Sequence, residues 1–246
     1  VVDGTVFVGS DDGNLYAIDA TTGEQQWAFE TESDVESSPT VVNETVFIGT
    51  GSYDNNGLYA VNAESGEQEW AFEVGGPIHS SPTVVDGTVF VGSDDAKLYA
   101  VNAETGTQEW AFETGDSIQS SPTVLDGIIF VGSDDTNLYV VNSETGEQEW
   151  AFHTADPQNV NADFRSSPTV YNGTVFTGSE KTIPAIPGIQ DSGSLFYAVD
   201  TETGVEEWRF KTGDNVTSSP TIANGIIFVG CSDNNLYAID AGTGEE

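Results

Sequence analysis

One stretch of the sequence, SSPTVVDGTVFVGSDDAKLYAVNAETGTQEW from Ser80 to Trp110, decides the fold because the chain repeats it. Almost the same string follows from Ser120 to Trp150. A Leu-Tyr or Phe-Tyr pair recurs six times, at intervals of 43, 40, 40, 58 and 40 residues, at Tyr16, Tyr59, Tyr99, Tyr139, Tyr197 and Tyr237. A period of this length is typical of proteins built from repeated small sheets. The sequence therefore predicts six copies of one structural unit.

Each copy has the pattern of four short strands. In the third copy these are SSPTVV from Ser80, TVFVG, LYAVN and EWAFET. The first two strands are joined by Asp-Gly or Asn-Gly, the dipeptides that type I′ hairpins favour, except at Asn43-Glu44, where we expect a different or mildly strained turn. The middle strands are almost entirely apolar, which indicates burial on both faces. Strand four alternates apolar residues with Glu or Gln, as an exposed edge does.

Small sheets with two apolar faces can bury both faces by stacking radially around an axis. The sequence therefore predicts an all-β protein, a β-propeller of four-stranded antiparallel blades with six repeats in this chain. Because the chain starts within strand one and stops before a strand-four Trp, the alternative is a section of a seven- or eight-bladed ring. We expect a single propeller domain over residues 1–246, with both termini within a blade.

A motif at the junction of strands three and four ends in Trp in five repeats. Its first copy runs from Ala17 to Trp27 as Ala-x-Asp-x-x-Thr-Gly-x-x-x-Trp. It resembles the tryptophan-docking motif of PQQ-like repeat propellers, which include quinoprotein dehydrogenases and the outer-membrane assembly lipoprotein B family. The resemblance covers the whole chain and implies that each Trp packs between neighbouring blades and binds no ligand. These residues are Trp27, Trp70, Trp110, Trp150 and Trp208.

The chain is extremely acidic, with five Lys and Arg against 41 Asp and Glu and a net charge of −36. Such a surface repels nucleic acid phosphates and anionic lipid head groups, so we expect neither a nucleic acid partner nor direct membrane insertion. The acids are spread through every repeat, which resembles haloarchaeal proteins and predicts dependence on high concentrations of salt cations. We expect an extracellular or cell-surface location in a halophile, with any signal or anchor outside this chain.

Three insertions interrupt the repeat. They add three residues between Gly49 and Tyr59, six between Trp150 and Pro168, and twelve between Gly178 and Tyr197. Loops between strands two and three leave an antiparallel blade on the same side as crossings from strand four to strand one. All three insertions are therefore expected on one face, where a protein partner or a small polar ligand would bind. The alternative is a face that merely tolerates insertions.

Two further sets of residues depart from the repeated frame. The residue before each Ser-Ser-Pro differs in every copy, and these residues are expected to ring the mouth of a central channel: Glu36, His79, Gln119, Arg165 and Thr217. Such a ring could bind a small polar ligand or line a solvated funnel. Most of the basic residues lie around the fifth repeat and could bind an anionic group or pair with nearby Glu206 and Glu207: Arg165, Lys181, Arg209 and Lys211.

The resemblance implies one catalytic alternative, a PQQ- and Ca²⁺-dependent quinoprotein dehydrogenase that oxidises alcohols or sugars. That chemistry needs a base and carboxylate or amide ligands for the metal. The alcohol-oxidising relatives also carry an adjacent Cys-Cys disulfide, whereas Cys231 is the single cysteine here. His79 and His153 stand outside any catalytic or metal-ligand spacing. The sequence therefore predicts a noncatalytic scaffold for protein interaction or ligand sensing, with no catalytic residue, metal site or cofactor.

Overall fold

β-Strands joined by tight turns make up the regular structure of the chain. A computed structural model describes residues 1–51, 56–154, 162–181 and 194–246, and none of these residues is helical. Consequently no described segment is a helix long and apolar enough to cross a membrane. The chain divides into two compact units, Val1–Glu113 and Thr114–Glu246.

The first unit holds three antiparallel sheets in which each strand pairs with the next along the chain. Sheet one contains β1 (Thr5–Gly9), β2 (Asn14–Asp19) and β3 (Gln25–Glu30). Sheet two contains β4 (Thr40–Val42), β5 (Thr45–Thr50), β6 (Gly57–Asn62) and β7 (Gln68–Glu73). Sheet three contains β8 (Thr83–Val85), β9 (Thr88–Ser93), β10 (Lys97–Asn102) and β11 (Gln108–Glu113).

The second unit repeats this order and adds a short ribbon. Sheet four contains β12 (Thr123–Leu125), β13 (Ile128–Gly132), β14 (Asn137–Asn142) and β15 (Gln148–His153). Sheet five contains β17 (Thr169–Tyr171), β18 (Thr174–Gly178), β20 (Leu195–Asp200) and β21 (Glu206–Lys211). Sheet six contains β22 (Thr221–Ala223), β23 (Ile226–Gly230) and β24 (Leu236–Asp240). The ribbon pairs β16 (Ala162–Asp163) with β19 (Glu180–Lys181).

The predicted all-β class and the four-stranded antiparallel sheets are confirmed for sheets two to five, while sheets one and six have three strands each. Strand one is shorter than expected, since β8 starts at Thr83 and not at Ser80. Pro82 has no N–H group and cannot donate a hydrogen bond to the neighbouring strand. The Ser80 hydroxyl instead donates to the Gly92 carbonyl at 2.8 Å. The expectation of one domain over residues 1–246 stays a prediction.

The core lies between consecutive sheets, as continuous apolar strands require. In the first unit Phe47 and Leu58 of sheet two pack in one cluster with Val89 and Val91 of sheet three. In the second unit Phe196 of sheet five shares a cluster with residues of sheet six. Both faces of the middle strands are buried in sheet three, where Val89, Phe90 and Val91 are 0–2% exposed.

The hairpin turns have the positive φ angles that type I′ turns need, for example 49° at Asp86 and 83° at Gly87. The unusual pair Asn43-Glu44 adopts the same turn, with φ of 51° and 65°. Of the two alternatives at this pair, a different turn or a strained one, the structure has the strained one. A non-glycine residue in this region is strained because its Cβ approaches the following carbonyl oxygen.

Candidate functional site

The tryptophans that end the repeated motif reach from one sheet to the next. The indole N–H of Trp70 donates to the Ala103 carbonyl at 2.9 Å, and its ring lies against Gly106, where an added Cβ would come within 2.7 Å of the indole. Trp27, Trp150 and Trp208 make the same two contacts with their following sheets. The ring of Trp110 packs against Phe90 of its own sheet, with centroids 5.8 Å apart. These indoles are occupied by packing and backbone hydrogen bonds.

Each variable residue is positioned by the buried apolar residue that precedes it. Ile78 precedes His79 and is fully buried against Gly49, where an added Cβ would overlap its side chain. Phe164, which precedes Arg165, is buried in the same way against Gly132. The glycine near the end of strand two therefore leaves the space that the apolar residue of the next crossing fills. This packing fixes the place where each variable side chain emerges.

His79 and Glu36 are brought together although 43 residues separate them. Nδ1 of His79 lies 2.6 Å from a carboxylate oxygen of Glu36, and Nε2 lies 3.4 Å from a carboxylate oxygen of Asp94. The hydrogen bond with Asp94 raises the pKa of His79, and Glu36 adds to this effect while burial opposes it. The imidazole is therefore engaged on both nitrogens and is not an open ligand-binding group.

Arg165 is held by three carboxylates. Its Nε and one terminal nitrogen donate to both oxygens of Asp134, at 2.9–3.2 Å. The other terminal nitrogen lies 3.1 Å from a carboxylate oxygen of Glu180. The terminal nitrogen that donates to Asp134 also lies 3.8 Å from a carboxylate oxygen of Asp163. The hydrogen bonds with Asp134 raise the pKa of Arg165 above its ordinary value, with smaller contributions from Glu180 and Asp163. The guanidinium therefore has little free capacity for an added anion.

The other predicted residues differ in exposure. Gln119 is half-buried and Thr217 is exposed. Because the five variable residues span both units, their arrangement as one ring stays a prediction. The two units also divide the three insertions, so their placement on one face stays a prediction as well. The lengthened segments are described only in part, because residues 52–55, 155–161 and 182–193 lie outside the described residues.

The basic residues around the fifth repeat differ in their contacts, and their grouping into one cluster stays a prediction. Nε of the Arg209 side chain donates to Glu206 at 2.7 Å, which is the pairing that the sequence offered as the alternative. Lys211 is exposed on β21. Lys181 belongs to β19, where its backbone faces Ala162, and its side chain lies outside the described structure.

The ribbon joins the two longest lengthened segments beside their insertions. β16 belongs to the lengthened crossing before sheet five and β19 to the lengthened loop within it, and Asp163 pairs with Glu180 across them. Repeats without insertions have an equivalent contact, since the Asp94 amide donates to the Pro77 carbonyl at 2.8 Å. Like charges directly opposite each other on paired strands destabilise the pairing. Arg165 lies between these carboxylates and Asp134, so it offsets part of their repulsion and ties the ribbon to the loop after β13.

Sequence reasoning missed the partners of the two charged residues, Asp94 for His79 and the three acids for Arg165. Asp pairs occur in several loops between strands two and three, at Asp11-Asp12, Asp94-Asp95 and Asp134-Asp135. Both Asp94 and Asp134 are the first member of such a pair. The second member has a structural role, since Asp95 accepts hydrogen bonds from the Tyr99 hydroxyl at 2.6 Å and from the Gly75 amide at 2.9 Å.

A quinoprotein would need carboxylate or amide ligands for Ca²⁺ beside its PQQ. Across the part of the chain that the structure describes, no group of three or more His, Cys, Asp or Glu is arranged to hold a metal ion. The three carboxylates around Arg165 are engaged by its guanidinium. No catalytic step through a quinone is therefore derived from these residues.

The repeated sheets, the interlocking tryptophans and the glycine contacts define a β-propeller of PQQ-like repeats. The family model described as outer membrane protein assembly factor BamB matches residues 1–79, 54–186 and 189–246. The chain belongs to this family, and the resemblance seen in the docking motif is confirmed. A search of curated proteins with the sequence finds no match.

Solved structures with the same fold include both kinds of relative. BamB from Moraxella catarrhalis is similar with a TM-score of 0.79 at 18% identity, over 99% of this chain and 72% of that protein. A europium-containing methanol dehydrogenase is similar with a TM-score of 0.75 at 13% identity, over 100% of this chain and 66% of the enzyme. A quinohemoprotein alcohol dehydrogenase from Pseudomonas putida HK5 has a TM-score of 0.75 at 19% identity, over 100% of this chain and 57% of the enzyme. At these identities the likeness supports the β-propeller fold alone.

Proposed function

We propose that the protein is a noncatalytic propeller that binds a protein partner through the surface built by its insertions around sheet five. The observation that carries this proposal is the β16–β19 ribbon, which holds the two longest lengthened segments of the chain side by side. The same contact between crossing and loop occurs in a repeat without insertions, where the Asp94 amide donates to the Pro77 carbonyl, so the repeated frame itself positions both segments. Loops held on a rigid scaffold are the usual carriers of binding.

The state of the variable side chains favours a protein partner over a small polar ligand. His79 and Arg165 were the residues best suited to hold such a ligand, and both are engaged by carboxylates. A ligand would have to displace charge-assisted hydrogen bonds, which are among the strongest in proteins. A partner that covers the ribbon leaves these ion pairs intact.

The test removes the insertions and keeps the repeat. In the exchanged variant, the short segment Thr114–Asp116 replaces Thr154–Ala162, and Asp95–Lys97 replaces Lys181–Leu195, so that Arg165 and its carboxylate partners are retained. Partners are captured from native high-salt extract on the immobilised chain, identified, purified and measured again by calorimetry. The proposal expects a partner that binds the unaltered chain and loses at least tenfold in affinity on the exchanged variant.

A matched control applies the same kind of exchange where the repeat has no insertion. Ser93–Lys97 replaces Ser133–Asn137 in sheet four, which changes only Thr136 to Ala and Asn137 to Lys. This control is expected to retain the partner. Equal binding by the exchanged variant, with both variants folded by circular dichroism, would show that the insertions are not the binding surface.

The family description and the acidity of the chain support an extracytoplasmic location in a salty medium. At low ionic strength the Debye length grows to about 30 Å at 0.01 M, so 41 acidic side chains repel each other with little screening. We expect the melting temperature to fall steeply as KCl is withdrawn. A melting temperature that is independent of salt would contradict the halophilic assignment.

The dehydrogenase alternative has one direct test. The methanol and alcohol dehydrogenases share the fold with this chain, so PQQ and Ca²⁺ are titrated together by calorimetry. The scaffold proposal expects no saturable heat at micromolar PQQ. Tight stoichiometric binding would overturn it in favour of a quinoprotein.

A further inference from the structure

A histidine joins three separate segments in the first unit. His79 lies on the crossing between β7 and β8, Glu36 on the crossing between β3 and β4, and Asp94 in the loop between β9 and β10. The imidazole contacts both carboxylates, at 2.6 Å and 3.4 Å. The three side chains are partly exposed, with 26% of His79, 46% of Glu36 and 23% of Asp94 accessible, so protons exchange freely with solvent.

The surroundings of the imidazole are acidic. On its own crossing, residues 74–78 include no ionisable side chain. Gly51, at the end of sheet two, lies beside the ring. Asp95, the neighbour of Asp94, is already engaged by Tyr99 and the amide of Gly75. Among the described contacts of His79, the charged groups are therefore the two carboxylates alone.

Backbone hydrogen bonds join the same segments next to the histidine. The amide of Gly51 donates to the Asp34 carbonyl at 3.0 Å, and the amide of Ile78 donates to the Thr50 carbonyl at 3.0 Å. The amide of Asp94 donates to the Pro77 carbonyl at 2.8 Å. Opening of this region would break these three bonds, so their amide protons report on it directly.

We propose that His79 is a pH-dependent latch, which in its protonated form holds the two crossings and the loop together and on losing its proton releases them. A neutral imidazole can donate from one nitrogen only, so one of the two carboxylates then faces an acceptor. On a surface of this acidity, the loss of the only cation between two carboxylates also leaves their repulsion uncompensated.

The direction of the pH effect follows from the pKa of His79, which the hydrogen bonds with Asp94 and Glu36 raise in the folded protein. A raised pKa in the folded state means that the latch is fully effective below the unfolded value of about 6.5. It weakens as the pH rises through the folded value. Stabilisation is therefore expected in mildly acidic solution, and loosening on the alkaline side.

The test measures titration and local opening on the full chain. NMR titration follows the His79 ring, and hydrogen exchange gives protection factors for the amides of Gly51, Ile78 and Asp94. We expect His79 to titrate above about 6.5 and the three protection factors to fall at least tenfold through that titration, after correction for intrinsic exchange. The variant His79→Gln is expected to show no such step.

Two further variants keep the outcome decisive. His153→Gln removes the other histidine, which bonds to Thr136 and Asn137 in sheet four, and is expected to leave the step unchanged. Glu36→Gln retains the histidine and is expected to move the step to lower pH. This variant tests the proposal even if His79→Gln fails to fold. A step that persists in His79→Gln, or a titration that Glu36→Gln does not move, would overturn the proposal. Neither result depends on the identity of a binding partner.

Discussion

Sheets three and five follow the same template, and they differ in the segments that enter them. Sheet three is entered by a short crossing whose variable residue, His79, rests between two carboxylates. Sheet five is entered by a lengthened crossing whose variable residue, Arg165, holds three carboxylates and the ribbon. Both crossings are seated by a buried apolar residue on a glycine. The packing of the crossing on the glycine is therefore the same in both sheets. The charged residue that follows it has different carboxylate partners in each sheet.

The largest effect is expected where the frame is the same for both sheets. Trp70 docks on sheet three and Trp150 on sheet five, each with one hydrogen bond to a backbone carbonyl. Trp70→Ala and Trp150→Ala should each lower the free energy of unfolding by about 3–5 kcal/mol, since a large side chain packed against the following sheet is lost. Chemical denaturation measures both. Losses that differ severalfold would break the equivalence of the two sheets.

Arg165→Gln should cost about 1.5–3 kcal/mol, because bonds to charged groups are lost and the paired carboxylates Asp163 and Glu180 are left facing each other. His79→Gln should cost less, since one of its two contacts is 3.4 Å long. Denaturation at neutral pH compares the two variants, with Arg209→Gln as a control for a more exposed ion pair. An Arg165→Gln loss as small as that of the control would show that the ribbon does not depend on the guanidinium.

The glycine contact sharpens the comparison further. Gly132→Ala would force the new methyl against Phe164 and is expected to cost about 1–3 kcal/mol, as overpacking does. Gly230 holds the same place in sheet six, but a Cβ there would meet only the Ser218 hydroxyl at 3.3 Å. Gly230→Ala should therefore be nearly neutral by thermal melting. Equal losses at both sites would mean that the glycines serve the backbone and not the crossing.

The smallest effect concerns the hairpin that breaks the turn rule. Glu44 has φ of 65°, and Gly87 occupies the same turn position in sheet three with φ of 83°. Glu44→Gly should stabilise the protein by up to about 1 kcal/mol by relieving the left-handed strain. Gly87→Glu should destabilise it by a similar amount. If both changes lower the melting temperature, the contacts of the Glu44 side chain stabilise the folded state by more than its positive φ angle destabilises it.

The repeated strands, turns and docking motifs could be predicted from the sequence because six copies of the repeat can be compared with each other. Turns, strands and docking motifs recur at a fixed spacing, so each copy tests the interpretation of the others. The two lengthened segments of sheet five could not be predicted in this way, since each occurs once in the chain and no other copy tests its interpretation. The partners of Arg165 were hidden for the opposite reason. Asp134 looks like the Asp pairs of the other loops, and only the fold places it opposite a guanidinium 31 residues away.

The docked indoles give the repeats a direction. In each described case a tryptophan reaches forward along the chain, and the following sheet supplies a glycine and a carbonyl to receive it. Stability within each unit is therefore coupled between nearest neighbours, as in a one-dimensional array, and a local defect is felt first by the adjoining repeat. Duplication of one repeat copies both the donor and the receiver of this contact. Such a chain can lengthen by whole repeats without evolving a new interface.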